Sequence, residues 1–506
     1  MNVLVPLPFA LPLAGAALAM ISRRRESWLR VLGPLVVAGV VAAAGGLVAA
    51  VARDGVIAVQ MGGWAAPLGI TLVADRLSAL LLVVSGGVLL AIMLHAVGEG
   101  AGGLGRHEPG VFYPAYLALT AGVCLLFLAG DLFNLFVAFE VMLASSYVLM
   151  TLTPTAERMR AGMTYTVVSL TSSILFLTAL GLTYAAAGTV NLADLSLRVD
   201  GLPGGTRSAL GMLFLVVFGI KGAIVPMHLW LPDSYPAALT KVTAVFAALL
   251  TKAAIYALIR VQTLLFPREH GSWVMLALAA GTMLVGTLGA LTHDDIHRVF
   301  SFTLVGHIGY MLFGLGLFSV AGLTGAILYL VHHIVVQATL FLVSDLMQGR
   351  TGETSLRRLG GLARLSAFIA VLFFVPAMSV SGVPPSSGFV AKLALFQAGL
   401  GEGSPLAYAV TGVAVLASLL TLMAMSRIWT LGFWRPRPEG AAEPPAEESY
   451  TRGGVRVMQS VTAVMVVAGL LITVFAGPLS SWSRRAAIDL LDPSAYRQAV
   501  LHGETR

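Results

Sequence analysis

Three lysines in strongly apolar surroundings are the residues of this sequence with the most informative chemistry. Only four of the 31 lysines and arginines are lysine, and Lys221, Lys252 and Lys392 lie inside apolar segments. An ionised lysine at the bilayer centre costs at least about 2.5 kcal/mol, so each needs a partner or water. Because lysine can release its proton whereas arginine cannot, these positions predict proton exchange. The alternative is a set of static ion pairs that orient helices.

Glu140, in the run FNLFVAFEVML, is the one glutamate that we expect at comparable depth. A Lys–Glu pair compensates both charges, and separating the pair favours the neutral form of each group. The pattern therefore predicts that Glu140 and a buried lysine form a switch for proton binding. Lys241 falls near a predicted helix start, where we expect its amine to reach water.

Three histidines in consecutive apolar segments are further candidates for a proton relay. His307 lies in SFTLVGHIGYML, and His332 and His333 lie in ILYLVHHIVVQATL. Histidine titrates near neutral pH and can accept a proton on one nitrogen while it donates from the other. The alternative is that each is a hydrogen-bonded packing residue.

Helix-breaking residues flank two of the lysines. Pro226 follows Lys221 in FGIKGAIVPMHLWLP, and Pro384 and Pro385 precede Lys392 in SGVPPSSGFVAKL. Proline removes a backbone donor, and the freed carbonyls of a broken membrane helix must find protein or water. The pattern predicts hydrated cavities beside both lysines, with simple proline kinks as the alternative.

Composition places these residues in a membrane. The 506 residues are 58% hydrophobic and 11% charged, with a mean hydropathy of +0.89. Apolar runs long enough to cross a bilayer recur throughout and predict an all-α polytopic membrane protein of about fourteen transmembrane helices. The predicted spans are 3–21, 31–51, 74–97, 111–130, 133–152, 161–187, 207–231, 242–263, 272–292, 298–319, 321–348, 366–400, 405–432 and 455–478.

The two broken spans, the seventh and the twelfth, are five helices apart. A five-helix repeat reverses its orientation in the membrane, so spans 4–8 and 9–13 are predicted to be inverted repeats, as in many transporters. The predicted organisation is residues 1–110 as helices 1–3, 111–263 as the first repeat, 264–432 as the second, and 433–506 as a loop, helix 14 and a tail. Lys221 and Lys392 then correspond to one another.

Basic residues predict the orientation. One set of alternate connections collects most of the arginines, which places that set in the cytoplasm and both termini outside it. That set holds Arg23, Arg24, Arg25, Arg30, Arg158, Arg160, Arg350, Arg357, Arg358, Arg364, Arg435, Arg437, Arg452 and Arg456, whereas the opposite set holds chiefly Arg53, Arg198, Arg207 and Arg268. The segment Trp434–Arg456 is predicted to be a flexible cytoplasmic loop, and residues 479–506 a short interfacial helix.

Several function classes find no support in the sequence. The net charge of +7 lacks the interleaved basic and aromatic residues of nucleic-acid binding. A single cysteine, Cys124, cannot hold an iron–sulfur cluster or structural zinc. We find no phosphate-binding loop, dinucleotide fingerprint or metal-ligand motif. The sequence thus predicts no cofactor, metal or catalytic residues, which favours a transporter over an enzyme.

Three stretches resemble a known family. Residues 130–150, GDLFNLFVAFEVMLASSYVLM, are similar to the fifth helix of the D-type subunits in Mrp-type multisubunit Na⁺/H⁺ antiporters. Residues 221–260, and SGVPPSSGFVAKL at 381–393, resemble helices 7, 8 and 12 of all antiporter-like subunits, including the proton-pumping subunits of respiratory complex I.

The resemblance implies roles for individual residues. Glu140 would be the essential glutamate paired with Lys221, and Lys252 the next proton site. His307 and His333 would continue the pathway, and Lys392 would end it near the exit. At Gln337 family members often carry lysine, so here that step would depend on His333 or water.

Two functions are open at this point. The first is a plasma-membrane antiporter subunit, assembled with other subunits in the lipid bilayer, that uses proton influx to drive Na⁺ export. The second is a proton-pumping membrane subunit of a complex I-like or hydrogenase redox complex, in which partner subunits supply the energy. The sequence shows no oxygen cage for Na⁺, because Asp75 and Asp131 lie alone near predicted helix ends.

Overall fold

The computed structural model describes residues 3–99, 109–266, 272–438 and 452–502, and helices dominate it, as the all-α prediction requires. Twelve helices in these residues are long and apolar enough to cross a membrane. Shorter apolar helices, Leu7–Ile21 and Ala367–Ser381, occupy the positions of predicted spans 1 and 12. The polytopic membrane class is therefore confirmed, while the number of crossings and the inverted repeats stay predictions.

Residues 3–99 and 109–239 contain nine α-helices and a small hairpin. The helices are α1 (Leu7–Ile21), α2 (Glu26–Asp54), α3 (Arg76–Glu99), α4 (Pro109–Leu128), α5 (Leu132–Met150), α6 (Ala156–Ala187), α7 (Leu192–Arg198), α8 (Gly204–Lys221) and α9 (Trp230–Ser234). Strands β1 (Ile57–Gln60) and β2 (Thr71–Ala74) pair antiparallel with Ile57 opposite Ala74.

The second half begins with a composite helix: α10 (Thr240–Val245), a π-helical turn (Phe246–Leu250) and α11 (Thr251–Leu265). It continues with α12 (Ser272–Thr292), α13 (Ile296–Gly316), α14 (Val320–Thr351), α15 (Leu362–Leu365), α16 (Ala367–Ser381), α17 (Ser387–Gly401) and α18 (Pro405–Ile428). The last helices are α19 (Arg452–Val474), α20 (Ala476–Leu491) and α21 (Ser494–Leu501).

Helix α14 is the centre of the bundle. Its most apolar stretch is buried along its whole length. The helix packs against α3, α10, α13, α16, α17, α19 and α20. Its N-terminus is capped by Ser319, whose hydroxyl accepts from the Gly322 amide at 3.1 Å, and it ends at the left-handed Gly352. Such a central helix holds its polar side chains away from lipid.

Two helices are interrupted near lysines. Helix α8 ends at Lys221, and the chain turns through residues 222–229, which include Pro226, before α9. Helix α16 ends at Ser381, and residues 382–386, which contain Pro384 and Pro385, separate it from α17. Lys221 therefore precedes its break, whereas Lys392 follows the second one.

The C-terminal region contains two helices where the sequence predicted one short interfacial helix. Helices α20 and α21 both lie in the predicted tail, and Arg497 of α21 donates to the Ser196 hydroxyl at 2.8 Å. Most of the predicted loop Trp434–Arg456, namely residues 439–451, lies outside the described residues.

Candidate functional site

Glu140 of α5 and Lys221 of α8 meet through a third side chain rather than through a direct ion pair. Lys221 Nζ donates to the Ser173 hydroxyl of α6 at 3.1 Å, and that hydroxyl donates to the Glu140 carboxylate. The lysine is buried, and Glu140 is partly exposed at the surface of the chain. A hydroxyl that both accepts and donates can carry a proton between the two charged groups.

The Lys221 amine lies beside an aromatic ring and a small cavity. Its Nζ lies 5.0 Å from the centroid of the Phe139 ring. A cavity of about 20 Å³ lies beside it, lined partly by Tyr165, Ser169 and Trp230. Such a volume holds about one water molecule.

Lys252 lies just after the π-helical turn of the composite helix. The lysine is 1% exposed, and its ammonium donates to the backbone carbonyl of Ala247, inside that turn. A π-helical turn leaves backbone groups free of the α-helical pattern and is frequent at functional sites. The turn packs against α14, so Lys252 lies beside the helix that carries His332 and His333.

The histidines form an aromatic cluster between α13 and α14. His307 Nδ1 lies 2.6 Å from the Tyr329 hydroxyl, and its Nε2 lies 3.3 Å from the Thr421 hydroxyl. The rings of His307 and His333 are 5.1 Å apart, centroid to centroid. Both ring nitrogens of His333 are buried without a hydrogen-bond partner among the described residues.

Lys392 is held at the second helix break. Its Nζ donates to the Val380 carbonyl at 3.0 Å and to the Ser381 carbonyl at 3.1 Å, at the end of α16. The amine also lies 4.9 Å from the centroid of the Tyr310 ring. Carbonyls freed by the break thus take the place of a carboxylate partner for Lys392.

His332 contacts the helix that follows the same break. Its Nδ1 lies 2.9 Å from the Ser387 hydroxyl at the start of α17, and Ser387 lies 3.1 Å from the Ser379 hydroxyl. The rings of Tyr310 and Tyr329 stack at 5.0 Å, between the Lys392 amine and His307.

The structure therefore brings the predicted residues into two groups. One is Glu140, Ser173 and Lys221, and the other is the row formed by Lys252, the three histidines and Lys392. Gln337 lies one turn from His333 on α14, where its amide donates to the Phe300 carbonyl at 3.1 Å. Whether these residues translocate protons stays a prediction.

The environment of Lys241 differs from the expectation. Its amine does not extend freely into solvent: Lys241 is 1% exposed and ion-paired with Glu99, a buried glutamate at the end of α3. Two more pairs were not predicted, namely His95 with Asp345 at 3.0 Å and Arg260 with Asp75 at 2.6 Å.

The arrangement suits proton transfer better than metal or nucleophilic chemistry. Hydroxyls lie within hydrogen-bonding distance of Lys221, His307 and His332, and the rings of His307 and His333 are in contact. Within the four described stretches, no group of three or more histidine, cysteine or acidic side chains could hold a metal ion. The fold and this row define a polytopic membrane protein with buried protonatable side chains.

The chain belongs to the NADH:quinone oxidoreductase/Mrp antiporter transmembrane family, whose model matches residues 129–431. The family resemblance predicted from the sequence is thereby confirmed. The D-type subunit of the Na⁺/H⁺ antiporter of Alkalihalophilus pseudofirmus is 36% identical over 99% of this chain and 100% of its own length. The corresponding antiporter subunit of Bacillus subtilis is 34% identical over the same shares of both chains.

Solved structures agree with these relatives. A chain of the Mrp complex from a Dietzia species is 34% identical and superposes with a TM-score of 0.88 over 99% of both chains. A chain of the membrane-bound sulfane sulfur reductase, an archaeal respiratory membrane complex, has a TM-score of 0.89 over 99% of this chain and 100% of its own. At 23% identity, that second likeness shows the fold alone.

Proposed function

We propose that this chain is the proton-conducting D-type subunit of a multisubunit Na⁺/H⁺ antiporter. Protons pass along the Glu140–Ser173–Lys221 group and the row from Lys252 to Lys392, and their influx drives Na⁺ export. The observation that carries the proposal is the row itself, because lysines within membrane spans are costly to bury and typically mark ion or proton pathways. The subunit has no catalytic centre of its own and acts with partner subunits in the bilayer.

The lysines divide the pathway into steps that differ in how each charge is stabilised. Lys221 has a carboxylate within reach through Ser173, whereas Lys252 and Lys392 donate to backbone carbonyls. Like charges repel more strongly in a low-dielectric interior than in water. A proton on one lysine therefore disfavours a proton on the next, which couples successive steps.

The orientation is part of the proposal. We infer that the face with the connections before α6, α10 and α13 and after α14 lies in the cytoplasm, in line with its arginine content. The redox-complex alternative shares the fold, but the relatives at 34–36% identity are antiporter subunits.

The test is Na⁺-driven proton exchange in vesicles that contain the assembled complex. Replacing Glu140 with alanine is expected to abolish exchange while the complex still assembles. Exchange at the wild-type rate in that variant would refute the proposal. Loss of assembly would support the static ion-pair alternative for this residue.

A further inference from the structure

A wide polar vestibule opens at one end of the helix bundle. Its volume is about 880 Å³, and its walls come from the ends of α3, α10, α13 and α14 and from the segment that leads into α6. Charged side chains line it, including Glu99, Arg158, Lys241, Asp295, His297 and Asp345. All these segments belong to the face proposed to be cytoplasmic, so the vestibule would open to cytoplasmic water.

Two ion pairs supply the vestibule-lining carboxylates Glu99 and Asp345, and we call these two pairs the floor of the vestibule. Lys241 of α10 is ion-paired with Glu99 at the end of α3, with side-chain exposures of 1% and 9%. His95 of α3 lies 3.0 Å from Asp345 of α14. His297 of α13 adds a second buried imidazole, whose Nε2 has no partner among the described residues. Such a set of charged and titratable groups is costly to bury.

The spacing along α14 links this floor to the buried row. Asp345, Phe341, Gln337 and His333 lie four residues apart, so they follow one ridge of the helix at intervals of about 6 Å. The Gln337 carbonyl oxygen and both His333 nitrogens have no hydrogen-bond partner within the described part of the chain. Along this ridge of α14, polar side chains connect the floor of the vestibule with the buried row, and a single apolar side chain interrupts them.

That interruption is Phe341. Its ring centroid lies 6.0 Å from that of His297 and 5.5 Å from that of Phe300, and the side chain is fully buried. Phe300 also supplies the carbonyl that fixes Gln337. A large ring packed between a polar floor and a polar row excludes water from the space between them.

We propose that Glu99, Lys241, His95 and Asp345 form the site where protons exchange between the row and vestibule water, and that Phe341 is the barrier. The proposal rests on the proposed function. When the Lys241 ammonium gives its proton to the Glu99 carboxylate, a neutral amine and a neutral acid remain. The acid releases that proton to vestibule water, and the amine takes the next one from the row.

The chemistry of the floor fits protons rather than Na⁺. Na⁺ binding needs several oxygen ligands from a preformed cage. Here the Glu99 carboxylate is occupied by an ammonium and the Asp345 carboxylate by an imidazole.

The first test compares carboxylates in reconstituted complexes. Glu99→Gln and Asp345→Asn are expected to lower the rate of Na⁺-driven proton exchange at least tenfold, and Glu99→Asp should restore part of it. Glu157→Gln, at an exposed position on the vestibule wall, is the matched control and should exchange as wild type. Exchange at the wild-type rate in both floor variants would overturn the proposal.

The second test measures the barrier. Phe341→Ala is expected to raise the passive proton leak several-fold without Na⁺, whereas Phe341→Leu, which keeps an apolar plug, should stay tight. Phe373→Ala deletes an equally buried ring of α16, which packs on Phe433 at 5.0 Å, and controls for a general packing defect. A leak no greater than that of Phe373→Ala would refute the barrier. If the complex with Phe341→Ala does not assemble, the exchange rates of Glu99→Gln and Asp345→Asn decide whether the proposed site stands.

A parallel Glu140→Gln variant separates this proposal from the proposed function. Loss of exchange in Glu140→Gln with wild-type exchange in Glu99→Gln and Asp345→Asn would leave the function standing and refute the vestibule site. Wild-type exchange in Glu140→Gln would refute the function itself. Loss of exchange in all three variants supports both the proposed function and the vestibule site.

Discussion

Lys221 reaches Glu140 through the hydroxyl of Ser173, which accepts from the lysine at 3.1 Å and donates to the carboxylate. The three side chains come from three helices, α8, α6 and α5. A change in the packing of α6 would therefore separate the charges without moving either backbone.

We expect Ser173→Ala to lower the exchange rate about tenfold to a hundredfold, because a hydrogen bond to a charged group contributes about 1.5–3 kcal/mol. The measurement is the initial rate of Na⁺-driven proton exchange at equal complex content. The control is Ser172→Ala, since the neighbouring buried hydroxyl donates to the Val217 carbonyl at 3.0 Å instead of bridging the two charges. Equal rates in the two variants would argue against a bridging role.

Lys392→Arg tests whether this residue releases its proton. Arginine keeps the charge but does not deprotonate at any working pH. We expect the arginine and alanine variants to be equally inactive between about pH 7 and 9, with the complex assembled. Wild-type exchange by the arginine variant would instead assign Lys392 the role of a fixed charge. Assembly must be measured alongside, because arginine is bulkier.

Gly382 keeps the Lys392 side chain in place. Its φ is +85°, and a Cβ there would lie 2.8 Å from Lys392 Cδ. We expect Gly382→Ala to displace the amine from its two carbonyls and to lower exchange at least tenfold, with reduced thermal stability. Gly401→Ala, in a helical position with nothing within 4 Å of its added Cβ, should change neither quantity. Normal exchange in Gly382→Ala would show that Lys392 does not need this geometry.

Asp294, which lies outside the membrane spans, forms a surface cluster with Arg357 and Arg427, and this cluster predicts a pH effect on stability. Hydrogen bonding to Arg357, at 2.5 Å, and contact with Arg427 hold the pKa of Asp294 below its usual value. A lowered pKa stabilises the fold above the unfolded value, about 3.9, and this stabilisation is lost as pH falls through the folded pKa.

We therefore expect Asp294→Asn to lower the thermal unfolding temperature of the detergent-solubilised complex by a constant amount from pH 8 to about pH 5. The difference from wild type should shrink below about pH 4. Asp54→Asn, at an exposed position, is the control. A difference that grows as the pH falls would contradict this account.

The sequence predicted the elements of the fold better than the contacts between them. Apolar length identified the spans, and proline and glycine marked the interruptions near Lys221 and Lys392, because both signals are local. The π-helical turn before Lys252 carries no proline or glycine, so its position depends on packing against α14. Local pattern therefore predicts where a helix breaks, but not where its winding changes.

The charge pairs show the same limit across the chain. Lys241 and Glu99 are 142 residues apart and His95 and Asp345 are 250 apart, and no periodicity encodes such partners. In the sequence, Asp345 is a lone acid near the end of a long apolar span. Its partner becomes visible only through the packing of α3 against α14.

Lys252 gives the most direct test of the central claim that protons cross through the buried row. It is buried, donates to the Ala247 carbonyl and lies between the Glu140 group and the histidines in chain order. The measurement is simultaneous proton and Na⁺ flux in liposomes containing the purified complex with Lys252→Met, which keeps a similar length without a titratable group. The account predicts that both fluxes fall to the background of empty liposomes while the complex stays intact. Coupled fluxes at the wild-type rate would contradict it.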